Sequence, residues 1–198
     1  MGRDLAKRLF DIAASAVGLV VLSPVMLGVA IAIVIETGRP VLFSQIRVGR
    51  HEKPFRIHKF RSMRPAAGSR ITAGGDPRIT RVGAFIRRTK LDELPQLWDV
   101  LRGRMSLVGP RPEVPAMFAH YPKEARARIV SVRPGITDLA TLEFRNEEEI
   151  LAGAADPERA YLDEVLPKKI ALYLDYLDRR SFLLDVSILL RTVAGLFW

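Results

Sequence analysis

The 198 residues contain no cysteine. This excludes disulfides and thiolate-ligated metals, and it suits a chain that faces the cytosol. Histidine is almost as scarce. His51, His58 and His120 are scattered, without the spacing that would gather them on one zinc ion. There is no internal repeat and no low-complexity segment, so one catalytic-sized domain is the expectation at this length. Acidic residues are also in short supply. Against 31 Lys and Arg stand 22 Asp and Glu, a formal charge of +9, which implies an anionic partner: nucleic acid, a phosphorylated substrate or an acidic membrane surface.

The longest gap in charge runs over residues 12–35, which are dominated by Val, Ile, Leu and Ala. As a continuous helix they would reach roughly 36 Å, against about 30 Å for a bilayer core. The run is too long for a cleaved signal peptide, and no small-residue cleavage site follows it, so it is expected to be a membrane segment. Ser23-Pro24 falls in its middle, where Pro frees a backbone carbonyl and its ring crowds the preceding turn. Both flanks are basic, with Lys7 and Arg8 before and Arg39, Arg47, Arg50, Lys53 and Arg56 after. Cytoplasmic ends attract such residues. A helix–break–helix hairpin that enters and leaves by one face satisfies both flanks, and a kinked single-pass anchor satisfies one.

Beyond the breaker cluster at residues 37–40, residues 41–43 and 55–60 suggest two short strands joined by a loop at 48–54. A basic run at 59–64 leads into a Gly/Pro/Ala-rich loop at 65–77, long and polar enough to move. Apolar spacing predicts a helix over 80–88. A second follows from Leu91 through Leu94, Leu97, Trp98 and Leu101, ending at Arg102-Gly103. Pro95 is tolerated only near a helix start, which puts Asp92 and Glu93 at the N-terminus of this helix. Capping is the ordinary role of carboxylates there.

Arg111, between Pro110 and Pro112, is presented from a stiff loop, and Arg133-Pro134-Gly135 repeats the device with a type II turn signal. Glu147-Glu148-Glu149 suits a solvated helix face better than a metal site. A helix over 158–180, bent or broken at Pro167, precedes an apolar helix over 181–198. That last helix carries only Asp185 and Arg191 as charges and is expected to dock at a membrane interface through Phe197 and Trp198. The expected fold is mainly α with a small β-hairpin (α+β). Residues 1–38 form the membrane helix–break–helix, and residues 39–198 the catalytic domain with its interfacial helices.

Lys59, Arg61, Arg87, Arg88 and Arg111 are the cations expected around Asp92-Glu93. Carboxylates on a contact face repel nucleic-acid phosphates, so this mixture argues against a nucleic-acid site. It suits a diphosphate held with Mg²⁺, which takes one or two carboxylates plus substrate oxygens while Arg and Lys clamp the rest. A spare carboxylate can attack phosphorus, and the cations offset charge on the equatorial and leaving oxygens. A membrane segment beside such a site makes a lipid the second substrate.

Several motifs follow one another in the order of a known family. They are Lys7-Arg8 with Asp11, Ser23-Pro24, Lys59-Phe60-Arg61-Ser62-Met63, Leu91-Asp92-Glu93-Leu94-Pro95-Gln96, Met105 through Pro112, Arg133 through Thr137, and Leu184-Asp185-Val186. Each is weak alone, but together they cover nearly the whole chain. The sequence resembles the bacterial sugar transferases, the small monotopic phosphoglycosyl transferases. That resemblance implies a re-entrant helix broken at Ser23-Pro24 and a site on the cytoplasmic face of the bacterial inner membrane.

It also implies a two-step reaction. Asp92 would attack the β-phosphorus of a UDP-sugar, and polyprenol phosphate would then take the phosphosugar. Glu93, with Asp92, would bind Mg²⁺. Arg111, Arg133 and Arg145 would contact substrate phosphate, and Lys7, Arg8, Ser23 and Pro24 would meet lipid at the interface. A homodimer is allowed but not demanded. No further membrane helices precede the matched region, so the likeness is to the minimal catalytic form. Residues 138–144 depart from the common pattern, with Asp138 and Glu143 adding negative charge, while Arg145-Asn146 is kept. The rival reading is a non-catalytic basic membrane-anchored module that recruits nucleic acid or a protein. It gives Asp92, Glu93 and the rigid Arg111 loop nothing to do.

Overall fold

Proline has no N–H, so Pro24 leaves the carbonyl of Val20, four residues back, without its helical donor. Ser23 supplies one: its hydroxyl donates to Val20 O across 2.7 Å. The computed structural model, which describes residues 2–64, 76–145, 147–154 and 156–195, breaks there into α1 (Gly2–Val21) and α2 (Ser23–Thr37), bent by 59°. Among the described residues no single helix is long and apolar enough to cross a membrane, whereas the bent pair together has that length and composition. Val20, Val21, Leu27, Ile31 and Ile35 of the pair are exposed, while Val29 and Ile33 are buried. Gly38, with φ +74°, ends α2.

The expected β-hairpin is present and longer than the sequence suggested. β1 (Leu42–Val48) pairs antiparallel with β2 (Pro54–Phe60), from Leu42 opposite Phe60 to Val48 opposite Pro54. Backbone pairing carries β1 through Ser44-Gln45, which have no apolar alternation to announce a strand. α3 (Arg81–Arg88) starts where expected, with the Thr80 hydroxyl accepting from Gly83 N as its N-cap. Gly83 is obligatory, since a Cβ there would meet Ser62 O at 1.9 Å. Ile86 of α3, Phe60 of β2, and Val29 and Ile33 of α2 close into one buried cluster, so α2 is seated directly on β2 and α3. Burial of each such side chain contributes about 1.5–3 kcal/mol.

The Asp92-Glu93 segment differs from expectation. Leu91–Glu93 is a single 3₁₀ turn entered through Lys90 in the left-handed region (φ 55°), and α4 (Gln96–Leu101) begins only after Pro95. Neither carboxylate caps α4. The Pro-rich motifs, read as loops, contain a second sheet that short sequence windows do not reveal. β3 (Ser106–Val108) lies parallel to β4 (Gly135–Thr137), with Ser106 opposite Gly135 and Val108 opposite Thr137.

Between these strands come α5 (Pro115–Phe118) and α6 (Lys123–Ile129), followed after β4 by α7 (Leu139–Glu143), α8 (Glu147–Ala152) and α9 (Pro157–Ala160). Glu147 is not merely solvated, because it pairs with the buried Lys169. A π-helical turn, Tyr161–Val165, carries the chain into α10 (Leu166–Arg179), so Pro167 sits in the first turn of a helix instead of ending one. α11 (Phe182–Ala194) is N-capped by Ser181. It buries Asp185 and Ile188 and exposes Leu183, Leu190 and Val193. Phe197 and Trp198, expected as interfacial anchors, lie outside the described residues, as do 65–75 of the expected mobile loop.

The rest of the core forms two further clusters. One gathers Met117, Phe118, Tyr161 and Tyr173 under α10, and the other packs Ile57, Val100, Met105, Val108 and Ile188 between β2, α4, β3 and α11. The fold is mainly helical with two small sheets.

Candidate active site

Lys59 is the penultimate residue of β2, next to the buried Phe60. Its ammonium donates to Glu93 Oε1 at 2.7 Å. Arg111 reaches the same carboxylate: Nη2 donates to Oε1, and Nη1 lies 3.4 Å from Oε2.

The Arg111 loop is stiff for more reasons than its two prolines. Val48 N donates to Glu113 O at 2.9 Å, and Arg47 Nη1 donates to Pro112 O at 3.1 Å, which ties the loop to β1. On its other flank Gly109 N donates to Thr137 O and Gly135 N to Pro110 O. Here two backbones cross without side chains between them. A Cβ on Gly135 would lie 2.2 Å from Gly109 N, so both crossing points require glycine.

The two carboxylates are adjacent in sequence but opposite in electrostatics. Burial pushes Glu93 up, but Arg111 and Lys59 hold it well below the usual carboxylate range. Asp92 is also buried, 6% exposed, and among the described residues no hydrogen bond reaches its carboxylate. Burial raises it, Lys59 opposes, and the charge on Glu93 raises it further. The ammonium of Lys59 is itself pushed down by burial and held up by Glu93. The result is one fixed anion inside a cationic clamp, and beside it one higher-energy carboxylate with its lone pairs free.

Of the cations assigned to the pair, Lys59 and Arg111 touch it. Arg87 lies close enough for its charge to act on Asp92, with Nη1 3.4 Å from Ser62 Oγ. Arg61 turns away, donating to Thr37 Oγ1 at 2.6 Å and to the carbonyls of Thr37 and Gly38, where it caps α2. Arg88 is exposed on α3. Arg133 donates to Gly103 O at 2.9 Å in a separate cleft. Arg145 lies at the end of α11, its Nη1 3.3 Å from where a Gly195 Cβ would sit.

Lys7 and Arg8 are engaged within the protein. Lys7 pairs with the buried Asp185 at 2.7 Å, and Arg8 donates to Val100 O and Leu101 O at the end of α4. Sequence charge finds guanidinium groups but does not reveal which carbonyl each will bind.

Two residues escaped the sequence reading. Lys90, whose left-handed backbone orients the carboxylate turn, also places its charge beside Asp92. Gln96, one turn after Asp92, is buried, and its amide nitrogen has no hydrogen-bond partner among the described residues. It stood within the matched motif but carried no charge to single it out.

The chain belongs to the bacterial sugar transferase family, whose model matches residues 2–198. It is 38% identical to an undecaprenyl-phosphate glucose phosphotransferase of Komagataeibacter xylinus, over 96% of this chain and 35% of that protein. It is 39% identical to a UDP-glucose:undecaprenyl-phosphate glucose-1-phosphate transferase of Caulobacter vibrioides, covering 98% of this chain and 70% of that one. A third relative, the exopolysaccharide production protein PSS of Rhizobium leguminosarum, is 40% identical over 96% of this chain and 94% of its own length. The chain therefore spans about a third of the Komagataeibacter protein and nearly all of the Rhizobium one.

Proposed function

We propose that the protein transfers a sugar-1-phosphate from a UDP-sugar to polyprenol phosphate, a first membrane step in building a bacterial glycan such as an exopolysaccharide. The observation that carries this reading is the split pair: a buried Asp92 whose carboxylate has no hydrogen bond among the described residues, beside a Glu93 clamped by Lys59 and Arg111. A cap or a structural ion pair needs no such unpaired carboxylate. A nucleophile does. The activities for which the relatives are named and the excess of positive charge favour the same reading.

In the first step an Asp92 oxygen bonds to the β-phosphorus, and the bond from that phosphorus to the bridging oxygen breaks. UMP leaves with its electron pair and a phosphosugar remains on Asp92. In the second step an oxygen of polyprenol phosphate bonds to the same phosphorus and the Asp92 carboxylate departs, giving the polyprenol diphosphate sugar. Arg111 and Lys59 hold the negative partners in place, and Arg87 lies beside Asp92 to take a phosphate oxygen. Asp92 and Glu93 suit Mg²⁺, which takes carboxylate and phosphate oxygens, because among the described residues the Asp92 carboxylate has no hydrogen bond and Glu93 Oε2 has only a 3.4 Å contact. When bound, the ion would neutralise diphosphate charge.

The exposed apolar faces of α1 and α2 and their bend support a re-entrant hairpin on the cytoplasmic face of the inner membrane. Purified protein given Mg²⁺ and a panel of UDP-sugars should release UMP. Without lipid it should gain the mass of a phosphosugar, and Asp92→Asn should do neither. Release of UMP from an enzyme that never becomes modified would instead mean direct transfer between the substrates.

A further inference from the structure

An open cleft lies between the first turns of α1, the Ser131–Arg133 turn and the end of α10. Arg111 is not among its lining residues. Lys7, Arg8, Arg50, Arg133 and Arg180 line it, against only two carboxylates, Asp4 and Asp11.

Some of that charge is used inside the protein. Lys7 is taken by Asp185, and Arg8 by two backbone carbonyls. The remainder is not. Arg50 and Arg133 each spend only Nε, on Ser131 O and Gly103 O at 3.0 and 2.9 Å. Among the described residues no carboxylate reaches ion-pair distance of either, and the terminal nitrogens of both are unbonded. Arg180 meets Asp4 only at 3.7 Å. Burial, then the charges of Arg8 and Arg50, lower the Arg133 guanidinium, so these groups repel one another where they stand. Gathering like charges in a cleft costs folding free energy unless something of opposite sign offsets it.

The chain next to these lining residues is apolar: Leu5 and Leu9 follow Asp4 and Arg8, Phe182 and Leu183 follow Arg180 and Ser181, and all four are exposed, while the rings of Phe10 and Phe182, 5.2 Å apart and edge-on, hold the start of α11 against α1.

We propose that this cleft is a second anion site, distinct from the Asp92–Glu93 centre, which binds the phosphate of an ester through the terminal nitrogens of Arg50, Arg133 and Arg180. Terminal guanidinium nitrogens match phosphate oxygens in pairs. The exposed apolar residues that neighbour Asp4, Arg8 and Arg180 in the chain favour an anionic lipid headgroup as its source. This assignment uses no step of the transferase reaction and stands or falls without it.

Detergent-solubilised full chain is titrated with dihexanoyl phosphatidylglycerol, dihexanoyl phosphatidylcholine and inorganic phosphate, in the presence of UMP and Mg²⁺, with the melting temperature as readout. Phosphatidylglycerol should raise it saturably and phosphatidylcholine should not. Arg133→Gln with Arg180→Gln should weaken the apparent affinity about tenfold or more. The charge-matched pair Arg128→Gln with Arg159→Gln, on exposed ion pairs elsewhere, should change it less than twofold.

Arg50→Gln, an exposed residue, provides the same test if the double variant does not fold. A saturable response to inorganic phosphate with the same dependence on these arginines supports the site but gives it a soluble source. Equal responses to the two lipids, equal weakening by the two double variants, or no saturable response to lipid or phosphate overturns the proposal. So does a response that disappears when UMP fills the Asp92 centre.

Discussion

Lys59 donates to Glu93 across 2.7 Å, while the carboxylate of Asp92, one residue earlier, has no hydrogen bond among the described residues. Two neighbouring carboxylates in one buried turn are thus unequal before any substrate arrives. Their amides should have opposite effects on stability.

Glu93→Gln leaves Lys59 and Arg111 buried without their counter-charge, a change that costs about 3–5 kcal/mol when one partner of a buried pair is removed. In a chain of this size that lowers the melting temperature by something on the order of 10 °C. Asp92→Asn should do the reverse. An acid whose folded pKa is raised weakens the fold once pH passes its unfolded value, so replacing it should raise the melting temperature at pH 7. Loss of phosphosugar-enzyme formation should be on the order of 10⁴-fold or more. Scanning calorimetry of both variants checks the signs; two variants that melt below the parent would remove the proposed imbalance.

The rate of forming the modified enzyme should fall on the acid side with a midpoint above the ordinary aspartate value of 3.8, because burial and Glu93 favour the protonated Asp92. Lys59 opposes that shift, so Lys59→Met should move the midpoint higher still. Single-turnover measurements across pH decide this, and a midpoint that stays put in Lys59→Met separates Lys59 from Asp92.

Chelation of divalent ions should abolish UMP release and Mg²⁺ should restore it. The melting temperature should hardly change, since Arg111 and Lys59 already neutralise Glu93 without an ion. A fall of several degrees on chelation would give the metal a structural role instead.

Gly135→Ala forces the two crossing backbones apart at the base of the Arg111 loop. Overpacking of this kind costs about 1–3 kcal/mol. A displacement of Arg111 near 1 Å should lower the rate roughly 100-fold. If Gly135→Ala is fully active, the crossing does not position Arg111.

Much of the site was legible because its chemistry is written in charge and in proline. The break at Ser23-Pro24, the stiff Arg111 loop and the Lys59 strand all carry local signals, and the structure places Lys59 and Arg111 on Glu93. What stayed hidden depends on contacts distant in sequence. β3 and β4 are three residues each, too short for any periodicity, and they meet across 26 intervening positions. Arg61 was expected beside the pair and Arg133 on substrate phosphate because a sequence records a guanidinium but not the Thr37, Gly38 or Gly103 oxygen that binds it. The asymmetry of Asp92 and Glu93 was equally invisible, since it arises from how one 3₁₀ turn, entered through a left-handed Lys90, aims two similar side chains.

The cluster of Ile33, Phe60 and Ile86 makes α2 part of the folded core. Lys59 and Arg87 are each the immediate neighbour of a residue in it, so the tilt of α2 sets where two of the site's cations stand. Any apolar segment could match α2 in composition, but exchanging α2 for a generic one would remove the floor on which those cations rest. The part of the sequence that looks most interchangeable is therefore the part least open to replacement.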